Sequence, residues 1–174
     1  MPNGKTMPKV GTGTIVGTNV QFGEDVVVWN YVVIGDNTKI GDGVRIGSFC
    51  DIGKDVTLGK KCNIQAHVTI SNGCVLGDSV FIAPNSTLLN DKYPVSSLLT
   101  PPILKDRVTV GGGVTVLPNV VLGEDCVVGG GSVVAKDVPA GKVVAGVPAK
   151  EVMTLKEYCR KREAFFRKQR KVNP

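Results

Sequence analysis

Aromatic side chains are scarce in this chain. Phe, Trp and Tyr make up 5% of the 174 residues, and there is one histidine. A core of that composition is not a wedge of large rings between helices and sheets. It suits a narrow interior of Val, Ile and Leu with tight corners, and the 22 glycines fit such corners. No apolar run approaches the roughly 20 residues that span a bilayer. Residues 1–9 read as a loose lead-in, and the opening MPNGKTMPKVGTG has no apolar signal core. The expectation is a soluble, cytoplasmic protein of one domain.

Five cysteines, an odd number without a secretory signal, argue against a disulfide framework. No CxxC pair is present and the one histidine cannot complete a converging ligand set, so no metal is expected. Cys50, Cys62, Cys74 and Cys126 read as small apolar fillers. Charge is balanced except at one end. Nine Lys and Arg stand against three Glu from Lys150 to Pro174, which accounts for the whole net charge of +6. Such a run reads as a solvated helix face. It lacks the interleaved motifs of a nucleic-acid binder, so neither nucleic acid nor membrane insertion is expected.

What the chain has in abundance is a six-residue beat. From Val10 to Thr87 thirteen hexads run without a slip, each opening on Val, Ile, Leu or Phe, with Gly second in nine of them. Five more run from Val110 to Pro139 (VGGGVT, VLPNVV, LGEDCV, VGGGSV, VAKDVP), with Val114, Val120, Cys126, Ser132 and Val138 in fifth place. Fixed-period self-similarity marks a repeat architecture. The first- and fifth-place residues point inward from short strands. The second to fourth places make a turn in which Gly, Asn and Asp tolerate positive φ. Three such sides close a triangular coil of 18 residues, and coils stack at about 4.8 Å. The register breaks after Leu88 and returns in a new phase at Leu104 with LKDRVT. An excursion of that length is commonly functional, and this one carries Asn90, Asp91, Lys92 and Tyr93 in a row. Residues 1–153 are therefore read as a solenoid with a loop insertion at 89–103. Residues 154–174 read as a basic amphipathic helix, with Thr154 and Glu157 as a capping box. Leu155, Cys159, Arg162 and Phe166 share a face, with Tyr158 and Phe165 beside them, and this apolar stripe is expected to pack on the last coil or on a neighbouring subunit.

Residues 18 apart stack on one side of the prism. Gly111–Gly113 thus lie beneath Gly129–Gly131, and one edge of two successive coils carries no side chains. An extended ligand can lie against bare backbone there; alternatively the glycines only supply tight corners. His67 sits in an outward fourth place, in a column with Tyr31, Phe49 and Asn85. It is expected on the same edge as Asn90, one coil apart. It reads as a general base, or equally as an exposed turn histidine that only binds substrate.

The hexads resemble the [LIV]-G-x-x-[STAVC]-x repeats of the hexapeptide-repeat acyltransferases. That likeness implies an all-β, left-handed parallel β-helix with one extruded loop and a C-terminal α-helix. The left hand comes from the resemblance alone, since it opposes the usual crossover rule. The closing segment VAKDVPAGKVVAGVPAK is similar to that of the acetyltransferases in the family. It implies acetyl-coenzyme A lying between two subunits of a homotrimer. Gly112, Gly130 and Ala135 would hold the pantetheine arm, with Lys136 and Lys150 near the phosphates; either lysine also reads as an ordinary surface residue. The same fold carries zinc carbonic anhydrases, whose three histidine ligands this chain cannot supply.

The segment SVFIAPNSTLLNDKYP resembles that of nucleotide-amino-sugar N-acetyltransferases, the closest acting on UDP-2-acetamido-3-amino-2,3-dideoxyglucuronate or on dTDP-3-amino sugars. On that likeness Asn90 contacts the amine or the thioester carbonyl, with His67 as the other catalytic candidate. Asp91 and Tyr93 help hold the sugar, with Lys92 and Asn85 beside them. Two other readings stay open: an O-acetyltransferase acting on a sugar or serine hydroxyl, and a scaffold with no active site.

Overall fold

The structure, a computed structural model, describes residues 7–172. Residues 1–6 of the lead-in and the last two of the tail lie outside the described residues. Twenty two-residue strands, from Lys9–Val10 to Val133–Val134, follow the repeat. Each joins the sixth residue of one hexad to the first of the next. Every third strand pairs in parallel with the strand one coil later: Lys9 with Val27, Ile15 with Val33, Gln21 with Lys39. Three sheets result. We term them the first, second and third faces, starting at Lys9, Ile15 and Gln21. The first corner joins the first face to the second, the second corner follows the second face, and the third returns to the first face. The whole is a left-handed parallel β-helix of about eight turns.

The interior follows from the hexad. First-place Ile46, Ile52, Leu58, Ile64 and Ile70 are buried, as are fifth-place Val44, Val56, Val68 and the four expected cysteines. Fifth-place polar groups are also buried because the coil above offers an acceptor. Thr38 Oγ1 donates to the Gly53 carbonyl at 2.9 Å, Ser86 Oγ to Gly111 at 2.9 Å, and Cys62 Sγ to Gly77 at 3.1 Å. Burial pushes the Cys62 thiol up to about 11 and those of Cys74 and Cys126 to about 12. These thiols stay neutral and serve as filler.

The corners differ in one respect from the expectation. Positive φ belongs to the fourth place alone, as at Asn37 (59°), Asp55 (58°) and Asn119 (64°). Second-place glycine has another cause: successive coils approach too closely for a side chain. A Cβ on Gly35 would stand 2.6 Å from the carbonyl carbon of Gly53. Third-place Asp and Asn also have a task. Their side chains accept the third-place N–H of the coil below, as Asp36 does from Thr18 (2.8 Å) and Asn72 from Lys54 (2.8 Å). Each such bond pairs a corner donor that neither the strands nor the turn can reach.

After the strand Thr87–Leu88, residues 89–102 leave the second corner in place of the ordinary four-residue turn. Partners across this coil are 28 residues apart, Val75 with Ile103, rather than 18, so the insertion is ten residues net. Ile103 already belongs to the next strand, which ends the loop one residue earlier than expected. Beyond the last coil, Lys142–Gly146 joins the first face beside Val127–Val128, and Ala149–Thr154 folds back antiparallel on it. The helix Leu155–Val172 starts with the capping box closed: the Thr154 N–H donates to Glu157 Oε2 (2.8 Å), and the Glu157 N–H donates to Thr154 Oγ1 (3.3 Å). Only its first turns pack against the body. Leu155, Tyr158 and Cys159 are half-buried, whereas Phe165 and Phe166 are exposed. The stripe is longer than the strip of hairpin beneath it. No described helix is long and apolar enough to cross a membrane.

Truncating one side of a coil should show how close-packed the interior is. Ile64→Ala is expected to cost about 2–5 kcal/mol in urea unfolding, through lost transfer energy and a cavity the stacked backbone cannot close. A second expectation concerns acid. The Thr18 backbone N–H and then Lys54 hold Asp36 below its ordinary value of 3.8. Arg107 does the same for Asp125, and the Thr154 backbone N–H holds Glu157 below 4.5. Groups with depressed folded values stabilise above their unfolded values and lose that contribution as pH falls through the folded ones. Thermal midpoints should therefore be level from pH 7 to 5 and fall below about pH 4. Because Glu157 is exposed and Asp36 and Asp125 are only half-buried, raised salt should flatten the fall.

Candidate active site

The expected site residues fall on two corners, not one. His67, Asn85, Gly112 and Gly130 lie on the first corner, at successive heights. Asn90, Asp91, Lys92, Tyr93, Ala135 and Lys136 lie on the second, across the second face. His67 and Asn90 therefore do not share an edge. The reason is arithmetic: their hexads start at Ile64 and Leu88, four beats apart, and a triangle repeats every three. The same reasoning separates Ala135 from the glycine edge. Lys150 pairs with Ala145 in the closing hairpin, and Ala145 packs on Gly129, so Lys150 belongs to the top of the first corner.

On the first corner the glycine triplets have divided roles. A Cβ on Gly111 would lie 2.6 Å from the Gly130 nitrogen, and one on Gly129 would lie 2.9 Å from the Ala145 side chain. Those two glycines serve coil packing. Gly113 and Gly131 sit at φ +65° and +68° with nothing within 4 Å of an added Cβ. Packing does not require them to be bare, since Asn fits the same φ elsewhere in the chain. Between them, third-place Gly112 and Gly130 offer no side chain to the coils below. The N–H groups of Ala66, Gly112 and Gly130 meet no acceptor among the described residues. The first corner thus presents a bare strip with open backbone donors above His67, with the Asn85 coil between them.

His67 itself is exposed, with φ 59°. Its ring stacks on Phe49 at 5.0 Å between centroids and 11° between planes, and Phe49 stacks on Tyr31 at 5.3 Å and 13°. The imidazole is thereby held flat against the Phe49 ring.

On the second corner the loop is pinned at its neck. The Asn90 carbonyl accepts from the Thr100 N–H (2.7 Å), and the Thr100 carbonyl accepts from the Asn119 N–H of the coil above (2.6 Å). Asn90 Nδ2 donates to the Asn72 carbonyl of the coil below (3.1 Å). Asp91 is turned inward on the loop, accepting the N–H groups of Tyr93 (3.1 Å) and Ser96 (2.9 Å). In this arrangement it builds the turn. Lys92 lies 5.8 Å over the Tyr93 ring, and Tyr93 is largely exposed. Above the loop a groove of about 530 Å³ brings Asp91 and Lys92 together with Leu117, Asn119, Ala135 and Lys136. Below it a smaller recess of about 200 Å³ is bordered by Asp51, Thr69, Asn72 and Asn90. Sequence reasoning missed Asn119 and Thr100 as the loop's anchors. Asn119 had a signal, being a fourth-place Asn like Asn37, but Thr100 lies where no period applies.

Comparison with known proteins agrees with the fold. The description "Bacterial transferase hexapeptide (six repeats)" matches residues 19–54, 37–72 and 101–136. Galactoside O-acetyltransferase of Escherichia coli is 36% identical over 90 residues, covering 47% of this chain and 44% of that protein. The chain spans less than half the length of the curated relatives it matches. Among solved structures, Arabidopsis UDP-N-acetylglucosamine acyltransferase superposes with a TM-score of 0.65 at 22% identity, over 89% of this chain and 67% of that one. Perosamine N-acetyltransferase from Caulobacter crescentus, in complex with CoA and GDP-perosamine, gives a TM-score of 0.51 at 26% identity, over 83% and 57%. The matched repeats cover more than half of the residues and coincide with the coils of the prism, and the chain belongs to the bacterial transferase hexapeptide family.

Proposed function

We propose that the protein transfers the acetyl group of acetyl-coenzyme A to the amine of a nucleotide-linked amino sugar of the UDP-3-amino-glucuronate type. One observation carries the reading: the two halves of the site occupy two corners at matching heights. Asn85 lies level with the loop of Asn90–Tyr93, His67 lies one coil below, level with Asn72, to whose carbonyl Asn90 donates, and Gly112 and Gly130 lie level with Asn119 and Ala135–Lys136. Both corners border the second face. A third of a turn about an axis parallel to the prism, with that face turned inward, sets the first corner of one protomer against the second corner of the next. Such a rotation preserves height. A closed homotrimer thus assembles three complete sites. The outward side chains of the second face (Ile15, Val33, Thr69, Thr87, Thr115 and Val133) are uncharged, with Asp51 the exception.

In this assembly the thioester arm lies along the bare strip, its amide carbonyls facing the open N–H groups of Gly112 and Gly130. Lys136 and Lys150 stand as point charges for its phosphates. The neutral sugar amine, held by the loop near Asn90 and Tyr93, attacks the thioester carbonyl. The C–N bond forms and the C–S bond breaks. Positioning supplies much of the acceleration. The Asn90 amide or a backbone N–H steadies the oxyanion. The amine proton passes to His67 or to the departing thiolate. The perosamine enzyme, with CoA and a nucleotide sugar bound, supports an amine acceptor. The galactoside enzyme favours a second reading, transfer to a hydroxyl. A hydroxyl needs a base more strictly than a free amine does.

Thiol release from acetyl-coenzyme A tests the reading, with UDP- and dTDP-linked 3-amino and 4-amino sugars set against a galactoside and serine. Turnover on one amino sugar is expected. Asn90→Ala should lower kcat by about 100-fold if its amide serves the oxyanion. His67→Ala should lower it by about 100-fold or more if His67 is the base, and leave it if the thiolate takes the proton. Turnover confined to a hydroxyl acceptor would move the protein to the second reading, and a monomer by light scattering would remove the composite site. A further pair isolates the bare strip. Gly113→Asn and Gly131→Asn keep a residue suited to left-handed φ, so thermal midpoints should hold while coenzyme A affinity falls at least about tenfold, the equivalent of about 1.4 kcal/mol. Unchanged affinity would reduce the triplets to corner-formers.

A further inference from the structure

We infer that the edges of the Tyr31 and Phe49 rings form the binding surface for the planar base of the acceptor nucleotide. This extends the acceptor reading above and depends on it. The first observation is placement. The fourth place of a hexad demands left-handed φ, which large L side chains adopt only under strain. The second corner meets the demand with Asn19, Asn37, Asp55, Gly73 and Asn119. On the first corner Tyr31 and Phe49 hold φ 58° and 61°, in consecutive coils that lead to His67. Among the described residues no other corner carries an aromatic ring in this place. Lys61 and Arg107 hold the same φ on the third corner, so it is the run of stacked rings down one column, continuous with the proposed site, that points to use.

The second observation is what the ladder exposes. Its ring faces are taken. Phe49 lies between Tyr31 and His67, and the far face of Tyr31 covers Gly13, where an added Cβ would stand 2.5 Å from the ring. Yet Tyr31 is 54% and Phe49 53% exposed. What faces solvent is therefore a wall of ring edges running along the prism. Ring edges are positive and ring faces negative, so such a wall takes the flat face of an aromatic group lying along the axis, in edge-to-face contact. A nucleobase has that shape and polarity.

The third observation is direction. The acetyl donor occupies the bare strip above His67, and the reacting amine sits at His67. The rest of the acceptor can run only downward along the column, onto Phe49 and then Tyr31. Those two coils span roughly 10 Å, room for the pyrophosphate and ribose that separate a sugar from its base. At that height the second corner of the neighbouring protomer offers the polar ladder of Asn37 and Asp55, joined at 3.2 Å, as the opposite wall.

The test is calorimetric titration of the full-length trimer with UDP and with dTDP, no acetyl donor present. Tyr31→Asn, Phe49→Asn and the double variant remove the rings with a residue this turn already accepts at Asn37 and Asn85. One of the two nucleotides should bind the wild type, and the double variant should bind it at least tenfold more weakly, with thermal midpoint and trimer retained. Tyr31→Phe should keep the affinity. In turnover, KM for the nucleotide sugar should rise in Tyr31→Asn, which leaves the Phe49–His67 stack in place, while KM for acetyl-coenzyme A holds. Equal nucleotide affinity in wild type and double variant would overturn the inference, as would no binding of either nucleotide. Dissociation of the double variant to monomers would also overturn it, making the ladder a subunit contact. The two proposals fail separately. Ring-dependent nucleotide binding without thiol release on any acceptor sinks acetyl transfer and leaves this surface standing; thiol release with ring-independent binding does the reverse.

Discussion

A corner that turns the chain through a third of a circle with one residue at positive φ is the constraint on which the prism depends. It recurs every sixth residue, so the first and fifth places always face inward and the sixth always faces out. Closure after three corners puts residues 18 apart in register, as Lys9 with Val27 or Asn63 with Phe81. Every place in the hexad then becomes a vertical column at coil spacing, about 4.8 Å. Column chemistry replaces the usual pairwise core. Isoleucines stack on isoleucines, third-place Asp and Asn bond to the corner below, and fourth-place rings stack into a ladder. In such a fold a run of unusual residues down one column signals purpose more clearly than a single unusual residue, because the column is the unit that a ligand or a neighbour meets.

The same constraint explains what could be read from residues alone. The hexads gave the coil, its register and its interior down to Ser132 and Cys126, because one apolar place in six, repeated, has few other packings. The capping box at Thr154 and Glu157 was legible for the same reason: it is local. The separation of His67 from Asn90 was also written in the chain, since counting hexads in threes puts Ile64 and Leu88 on different faces. Stacking by 18 settles neighbours within a column, but the loop starts from another column. The loop interior was not legible. Nothing periodic announces that Asp91 turns back to the N–H groups of Tyr93 and Ser96, or that Thr100 bridges Asn90 and Asn119. Those contacts depend on how 14 residues close over a four-residue gap, and no local rule fixes that. The third-place Asp and Asn were visible as composition, but their task appears only when one coil lies on another.

Two features of the surface make little sense in an isolated protomer. Tyr93, Val95 and Leu98 stand out from the loop with Val95 fully exposed, and the aromatic ladder stands out from the first corner. Apolar groups clustered in this way mark contact surfaces. On the proposed ring they answer each other. The loop leaves the second corner at the height of Asn85, and a rotation without translation carries it to the same height on the neighbour, beside Asn85 and one coil above His67. A screw operation would shift the loop along the column and misalign both halves, giving a filament in place of a closed ring. Matched heights therefore serve as a selection rule for assembly. In the proposed trimer the loop would be covered, Lys136 would face the bare glycine strip, and Asn90 would come near His67. The strain held at φ 59° in His67 and 61° in Phe49 fits the same logic. A rigid prism can keep it because every strained corner is clamped from above and below by its neighbours in the column, whereas a flexible loop would relax it away.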